Sequence, residues 1–84
     1  TISGKYFVIV GSFSLKSSAE THKRMLSQKY DVSSIVTSSA NYNNLVPGFH
    51  IVVVSSSNDI TDLAGITSNL AKSNLYFYVK EARK

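Results

Sequence analysis

Residues that could carry acid–base or nucleophilic chemistry are few in this chain. The 84-residue sequence contains two histidines, His22 and His50, five acidic residues and no cysteine. No pair of histidines has a metal-ligating spacing such as His-x-x-x-His, and no serine lies in a Gly-x-Ser-x-Gly elbow. The lack of cysteine excludes disulfides, thiolate catalysis and cysteine-based zinc sites. We therefore expect no enzyme activity, no metal site and no cofactor.

The few reactive residue types are better explained by structure. His22 is predicted to lie on the inward stripe of a helix, and His50 begins a predicted strand. Ser12 directly follows a glycine at the end of a predicted strand, where a hydroxyl bonds the turn backbone or a ligand. The sequence thus indicates a binding module rather than an enzyme.

Length and composition predict one small domain over residues 1–84. Hydrophobic residues make up 43% of the chain and charged residues 17%, which is typical of a globular domain. No apolar run approaches the roughly 18 residues that a membrane span needs. The chain starts at Thr1 without a signal pattern, so we interpret it as a segment of a longer protein. The net charge of +4 is mild for a nucleic-acid binder and favours anionic partners.

The first half of the chain has the pattern strand, helix, strand. Ser17 and Glu20 form a capping-box signature, which predicts a helix start. Apolar and aromatic residues then recur on one helical face as far as Tyr30. The predicted strands on either side of this helix are Lys5–Val10, which stops at Gly11, and Val32–Thr37.

The second half repeats this pattern after a Ser/Asn-rich loop, Ser38–Gly48. A shift of 44 residues superposes Val8–Val10 on Val52–Val54 and Leu26 on Leu70. The predicted elements are the strand Phe49–Val54, a turn at Ser55–Ser57, a helix capped by Asn58 or Asp59, and the strand Leu75–Lys80. The order βαββαβ predicts a ferredoxin-like α+β fold, with a four-stranded antiparallel sheet and two helices on one face.

Alternation along the strands separates the two faces of this sheet. The predicted core under the helices comprises Val8, Val10, Val52, Val54, Ala19, Leu26, Leu63, Ile66, Leu70, Leu75, Phe77 and Val79. The opposite face would carry Phe7, Ile9, Ile51, Val53, Tyr76, Tyr78 and Lys80. Two interpretations of this apolar face remain open. It is an interaction surface, or the loop Ser38–Gly48 folds over it with Tyr42 and Leu45.

The segment Tyr6–Ser14, which reads YFVIVGSFS, resembles the opening motif of SPOR (sporulation-related repeat) domains. Members typically have an aromatic strand followed by Gly-Ser-Phe, then a helix with an early Ala and a later Leu, here Ala19 and Leu26. The third strand and the closing Tyr78-Val79-Lys80 also fit, so the resemblance spans roughly residues 5–80.

This resemblance implies a function in the bacterial cell envelope. SPOR domains bind peptidoglycan glycan strands stripped of their stem peptides, and they use the open face of the sheet. By this resemblance the chain would be an extracytoplasmic module that localises a larger secreted or membrane-anchored protein. That protein would act in cell division or in the cell wall. The predicted ligand-binding residues are Phe7, Ile9, Ser12, Ile51, Val53, Tyr76, Tyr78 and Lys80.

The same pattern allows two other interpretations of the function. Ile9 and Ile51 stand where the family pattern often has a glutamine and a basic residue, which favours a protein-binding or dimerising sheet face. The βαββαβ order also builds RNA-binding RRM domains, but the third strand FHIVVV lacks their signature. Nucleic acid is therefore the least expected partner.

Overall fold

The computed structural model describes residues 4–42 and 45–81 and has the predicted element order. The strands are β1 (Tyr6–Phe13), β2 (Ile35–Ser38), β3 (His50–Ser57) and β4 (Tyr78–Glu81). The helices are α1 (Lys16–Tyr30) and α2 (Ala64–Lys72), with short 3₁₀ turns at Ser39–Asn41 and Ile60–Leu63. The α+β class and the ferredoxin-like order are thus confirmed.

All four strands form one antiparallel sheet in the order β2-β3-β1-β4. The long strands β1 and β3 are central, and the four-residue strands β2 and β4 form the edges. The β1–β3 register shifts twice: Val8 pairs with Ser55, Ile9 with Val53 and Gly11 with Val52. Val54 and Val10 are the residues that these two bulges leave without a direct partner.

The core between the sheet and the helices consists of the predicted residues. Its fully buried members are Val8, Val10, Ala19, Leu26, Val52, Leu63 and Leu70. Val54, Ile66, Leu75, Phe77 and Val79 pack against this cluster and are partly buried. The predicted strand parity is therefore confirmed on β1, on β3 and around β4.

Several predicted boundaries were wrong. β1 continues through Gly11 to Phe13 instead of stopping at Val10. β3 includes residues 55–57, which the sequence predicts as a turn. Hydrogen bonding to a neighbouring strand extends both elements beyond their apolar segments, which local composition does not reveal. β2 begins at Ile35 rather than Val32, and β4 at Tyr78 rather than Leu75.

The start of α1 also differs from the prediction. The helix begins at Lys16, its N-cap is Leu15, and no side chain caps it, so the Ser17–Glu20 capping box does not form. Asp59 does act as a cap: its Oδ1 accepts from the Thr61 backbone N–H at 3.0 Å, which starts the 3₁₀ turn before α2.

Gly11 lies in a crowded position where β1 passes beneath α1. A Cβ built on Gly11 would lie 2.8 Å from Cε2 of Phe13 and 3.2 Å from Cδ2 of His22. These two rings pack against each other with centroids 5.3 Å apart. The glycine of the Gly-Ser-Phe motif therefore leaves room for a ring pair that joins the end of β1 to α1.

Candidate ligand-binding edge of the sheet

The sheet face opposite the helices is covered by an aromatic residue from the loop between β2 and β3. The ring of Tyr42 packs on the ring of Phe7 with centroids 5.1 Å apart and planes inclined by 39°. These two residues form a second buried cluster with Ile9, Ile51 and Val53, and Leu45 and Tyr78 pack against its rim. The interpretation in which the loop folds over this face is the one that the structure confirms.

Hydrogen bonds at both ends of the loop hold Tyr42 in this position. The backbone N–H of Ser39 donates to the carbonyl of Phe49 at 2.9 Å, and the Phe49 N–H donates to Oγ of Ser39 at 3.0 Å. Ser38 Oγ accepts from the Ala40 N–H at 3.2 Å, which caps the 3₁₀ turn that leads to Tyr42. The polar residues of the loop thus close it locally and direct one large ring inward.

This cover corrects half of the predicted ligand-binding set. Phe7 and Ile9 have no exposed surface, and Ile51 and Val53 retain 2% and 3%. A ligand could reach these four side chains only by displacing Tyr42, so their assignment as ligand contacts is wrong for this structure. The cause is a tertiary contact between residues 35 positions apart, which strand alternation cannot predict.

Three of the remaining predicted residues, Tyr76, Tyr78 and Lys80, lie at the β4 edge and retain exposed surface. Tyr76 is 73% exposed, and its ring meets that of Tyr78 edge-on, with centroids 5.8 Å apart and planes at 60°. Tyr78 is half-buried and pairs with Ile9, whereas Lys80 is exposed and pairs with Phe7. Tyr76, Tyr78 and Lys80 follow one another at intervals of two residues, so their side chains point to the same face of the sheet.

Ser12 lies near the end of β1. It is exposed and pairs with Ile51 across β3. β4 pairs only with Tyr6–Ile9, so among the described strands the end of β1 has no partner on this side. Tyr78 packs on the cluster that contains Ile51, the partner of Ser12, so Ser12 and Tyr78 belong to the same face of the sheet. Tyr76 precedes β4 by two residues and joins this face through its ring contact with Tyr78.

Burial changes the acidity of two tyrosines near this edge. The pKa of Tyr78 is raised above its ordinary value, first because burial disfavours the phenolate and second because Tyr76 would add a like charge. Burial also raises the pKa of Tyr42, although a hydrogen bond with the Thr37 side chain opposes this effect. Both phenols are therefore uncharged near neutral pH and able to donate a hydrogen bond.

The histidines and acids do not converge on a reactive site in the described part of the chain. His22 is half-buried against Phe13, as expected for a boundary residue. Within residues 4–42 and 45–81, no three histidine or acidic side chains lie together as metal ligands would. None of the helices described is long and apolar enough to cross a bilayer.

One cavity was not predicted from the sequence. It has a volume of about 510 Å³ and lies where the end of α1 approaches α2. Val54, Ile66 and Leu70 form its apolar floor, and Asp31 and Lys72 lie at its rim. No sequence motif marks this cavity, because its walls come from three elements that meet only in the folded domain.

Comparison with known proteins gives no relative from which a function could be transferred. The chain matches no family model, no curated protein sequence and no solved structure. The function must therefore be argued from the site itself.

Proposed function

We propose that this domain is a non-catalytic module that binds peptidoglycan glycan strands in the bacterial cell envelope and thereby localises a larger protein. The observation that carries the proposal is the edge-on contact between exposed Tyr76 and half-buried Tyr78, with exposed Lys80 on the same strand as Tyr78. The Gly-Ser-Phe motif at the end of β1, in which Ser12 is exposed, supports it.

The chemistry of the edge suits a sugar polymer. Tyrosine rings offer flat apolar surfaces to the C–H faces of pyranose rings, and phenol and serine hydroxyls exchange hydrogen bonds with sugar hydroxyls. Removal of the stem peptide frees the lactyl carboxylate of muramic acid, to which the Lys80 ammonium can donate a charge-assisted hydrogen bond. This contact would favour stripped over intact glycan.

The alternative of a dimer or protein interface on the apolar sheet face has lost its main support. That interpretation depended on exposed Ile9, Ile51 and Val53, and all three are buried beneath the β2–β3 loop. Binding of RNA on sheet-face aromatics is disfavoured for the same reason, because Phe7 already packs on Tyr42.

The test is a pull-down of the domain on peptidoglycan sacculi, untreated and treated with amidase. We expect enrichment on the treated sacculi and a clear loss of binding for Tyr76→Ala, whose exposed ring contributes little to stability. Ile60→Ala is the matched control, because Ile60 is a large exposed apolar residue before α2 and away from the edge. Lys80→Gln should reduce the preference for treated sacculi.

Two outcomes would contradict the proposal. Failure of the wild-type domain to bind either preparation would exclude glycan as the ligand. Binding that Tyr76→Ala and Tyr78→Ala both leave unchanged would show that glycan contacts another surface. Circular dichroism of each variant separates these outcomes from unfolding.

A further inference from the structure

A second surface of the domain, the solvent face of α1, concentrates positive charge. Four of the chain's nine basic residues lie on this helix, against a single acidic residue, Glu20. The basic residues are Lys16, Lys23, Arg24 and Lys29. By contrast, Asp59 and Asp62 lie together on the turn before α2, so the positive face and the acidic turn occupy different parts of the domain.

The spacing of these residues places three of them together. Lys16, Lys23 and Arg24 are related by i, i+7 and i+8, which is one stripe of an α-helix. Glu20 lies within the same stripe, four residues from both Lys16 and Arg24, so one carboxylate accompanies three cations and the stripe keeps a net positive charge. Lys29 lies on the other flank of the same exposed surface.

Arg24 separates two shallow hollows on this surface. The first, of about 300 Å³, is lined by Lys23, Arg24, Ser27 and Glu20. The second, of about 280 Å³, is lined by Arg24, Lys29, Gln28, Thr21 and Met25. Each hollow is therefore bordered by two cations and by a hydroxyl or amide that can donate a hydrogen bond.

We propose that the solvent face of α1 binds a flexible polymer that carries repeated phosphate groups. Successive phosphates would occupy the two hollows and share Arg24, whose planar guanidinium can donate to anions on both sides. Glu20 at the border of the first hollow opposes this binding and limits its affinity. A polymer suits the site because each hollow alone is open and binds weakly. Two phosphates on one chain bind both hollows more tightly, since the second phosphate binds at a high effective concentration.

The helix surface favours such a polymer over a membrane. A helix that lies in a bilayer surface inserts large apolar side chains next to its cations. Among the described residues, the large apolar side chains with high exposure are Leu15, Ile35, Val46, Phe49, Ile60 and Tyr76. Leu15 is the N-cap residue next to Lys16, but none of the six lies within α1, where Lys23, Arg24 and Lys29 are found. The cations of α1 are accompanied instead by Ser17, Thr21, Ser27 and Gln28.

This inference is independent of the proposed glycan site. α1 packs on the sheet face that carries Val8 and Val52, whereas Tyr78 packs on the opposite face. Tyr76→Ala should therefore leave polymer binding unchanged, and substitutions on α1 should leave the preference for amidase-treated sacculi unchanged.

The test uses long-chain inorganic polyphosphate and measures its affinity for the domain by titration at low and moderate ionic strength. We expect Lys23→Gln combined with Arg24→Gln to weaken binding about tenfold, since two phosphate contacts are lost, and to reduce the salt dependence. Glu20→Gln should strengthen binding. Glutamine is a good helix former, so these changes preserve α1.

The matched control is Lys5→Gln combined with Lys72→Gln, which removes the same net charge from residues that line neither hollow. Polyphosphate binding should weaken less than about threefold in this control, because only the overall electrostatic field of the domain is reduced. Equal losses in both double variants, or no binding by the wild type, would overturn the proposal. Preferential binding to anionic phosphatidylglycerol vesicles or to duplex DNA would also overturn it, in favour of a membrane or nucleic-acid surface.

Discussion

The ring of Tyr42 lies on the ring of Phe7 with centroids 5.1 Å apart and covers the sheet face that alternation leaves apolar. This contact buries the sheet face opposite the helices, so that face becomes a second, smaller core. It also moves the accessible part of the domain from the middle of the sheet to its β4 edge, where Tyr76 is exposed.

Truncation of the covering ring should destabilise the domain and expose the second core. Tyr42 is 4% exposed, so we expect Tyr42→Ala to lower the free energy of unfolding by about 3 kcal/mol, from lost burial and a residual cavity. The folded variant should bind an apolar dye such as ANS. Tyr42→Phe keeps the buried ring and loses only the hydroxyl, so it should cost no more than about 1 kcal/mol. Equal stability of wild type and Tyr42→Ala would contradict the covering role.

Truncation of a bulge residue in the main core tests the strand parity. Val10 is 4% exposed beneath the helices, whereas Val46 in the loop is 71% exposed. We expect Val10→Ala to cost on the order of 2 kcal/mol in urea unfolding, and Val46→Ala to cost less than about 0.5 kcal/mol. Similar values for the two variants would mean that Val10 does not face the helices in solution.

The residue that ends α1 offers a stabilising substitution. Asp31 has a left-handed φ of 55°, which suits glycine better than any residue with a Cβ. A carboxylate is also unfavourable at the negative end of a helix dipole. Asp31→Gly should therefore raise the free energy of unfolding by roughly 0.5–1 kcal/mol. Asp31→Asn removes the charge but keeps a Cβ, so it separates the helix-dipole effect from the backbone effect. A loss of stability in Asp31→Gly would contradict the prediction that the two effects together destabilise the wild type.

The raised pKa of Tyr78 predicts a stability that decreases in alkaline solution. The folded state holds the phenolic proton more tightly than the unfolded chain does, so the stabilisation is complete below the ordinary pKa of 10.0 and declines as the pH rises above it. Tyr78→Phe should show a shallower decline between pH 9 and about 11, measured by urea unfolding at each pH. The two proteins differ only at the Tyr78 hydroxyl, so parallel curves would show that Tyr78 does not contribute.

The sequence by itself was sufficient for the element order, the class of fold and the division of strand residues between two faces. Periodicity determines these features because each depends on side-chain direction within one element, as for Val8 and Val52 in the main core. The same local logic also identified Tyr76, Tyr78 and Lys80 as outward-facing.

Only the tertiary structure decided which outward-facing residues are accessible. Phe7, Ile9, Ile51 and Val53 have the alternation of an open face, yet they are buried because a loop far along the chain places Tyr42 on them. The hollows on α1 and the cavity between the helices likewise depend on how elements and side chains meet. Local pattern encodes the direction of a side chain, whereas its exposure depends on what the rest of the chain packs against it.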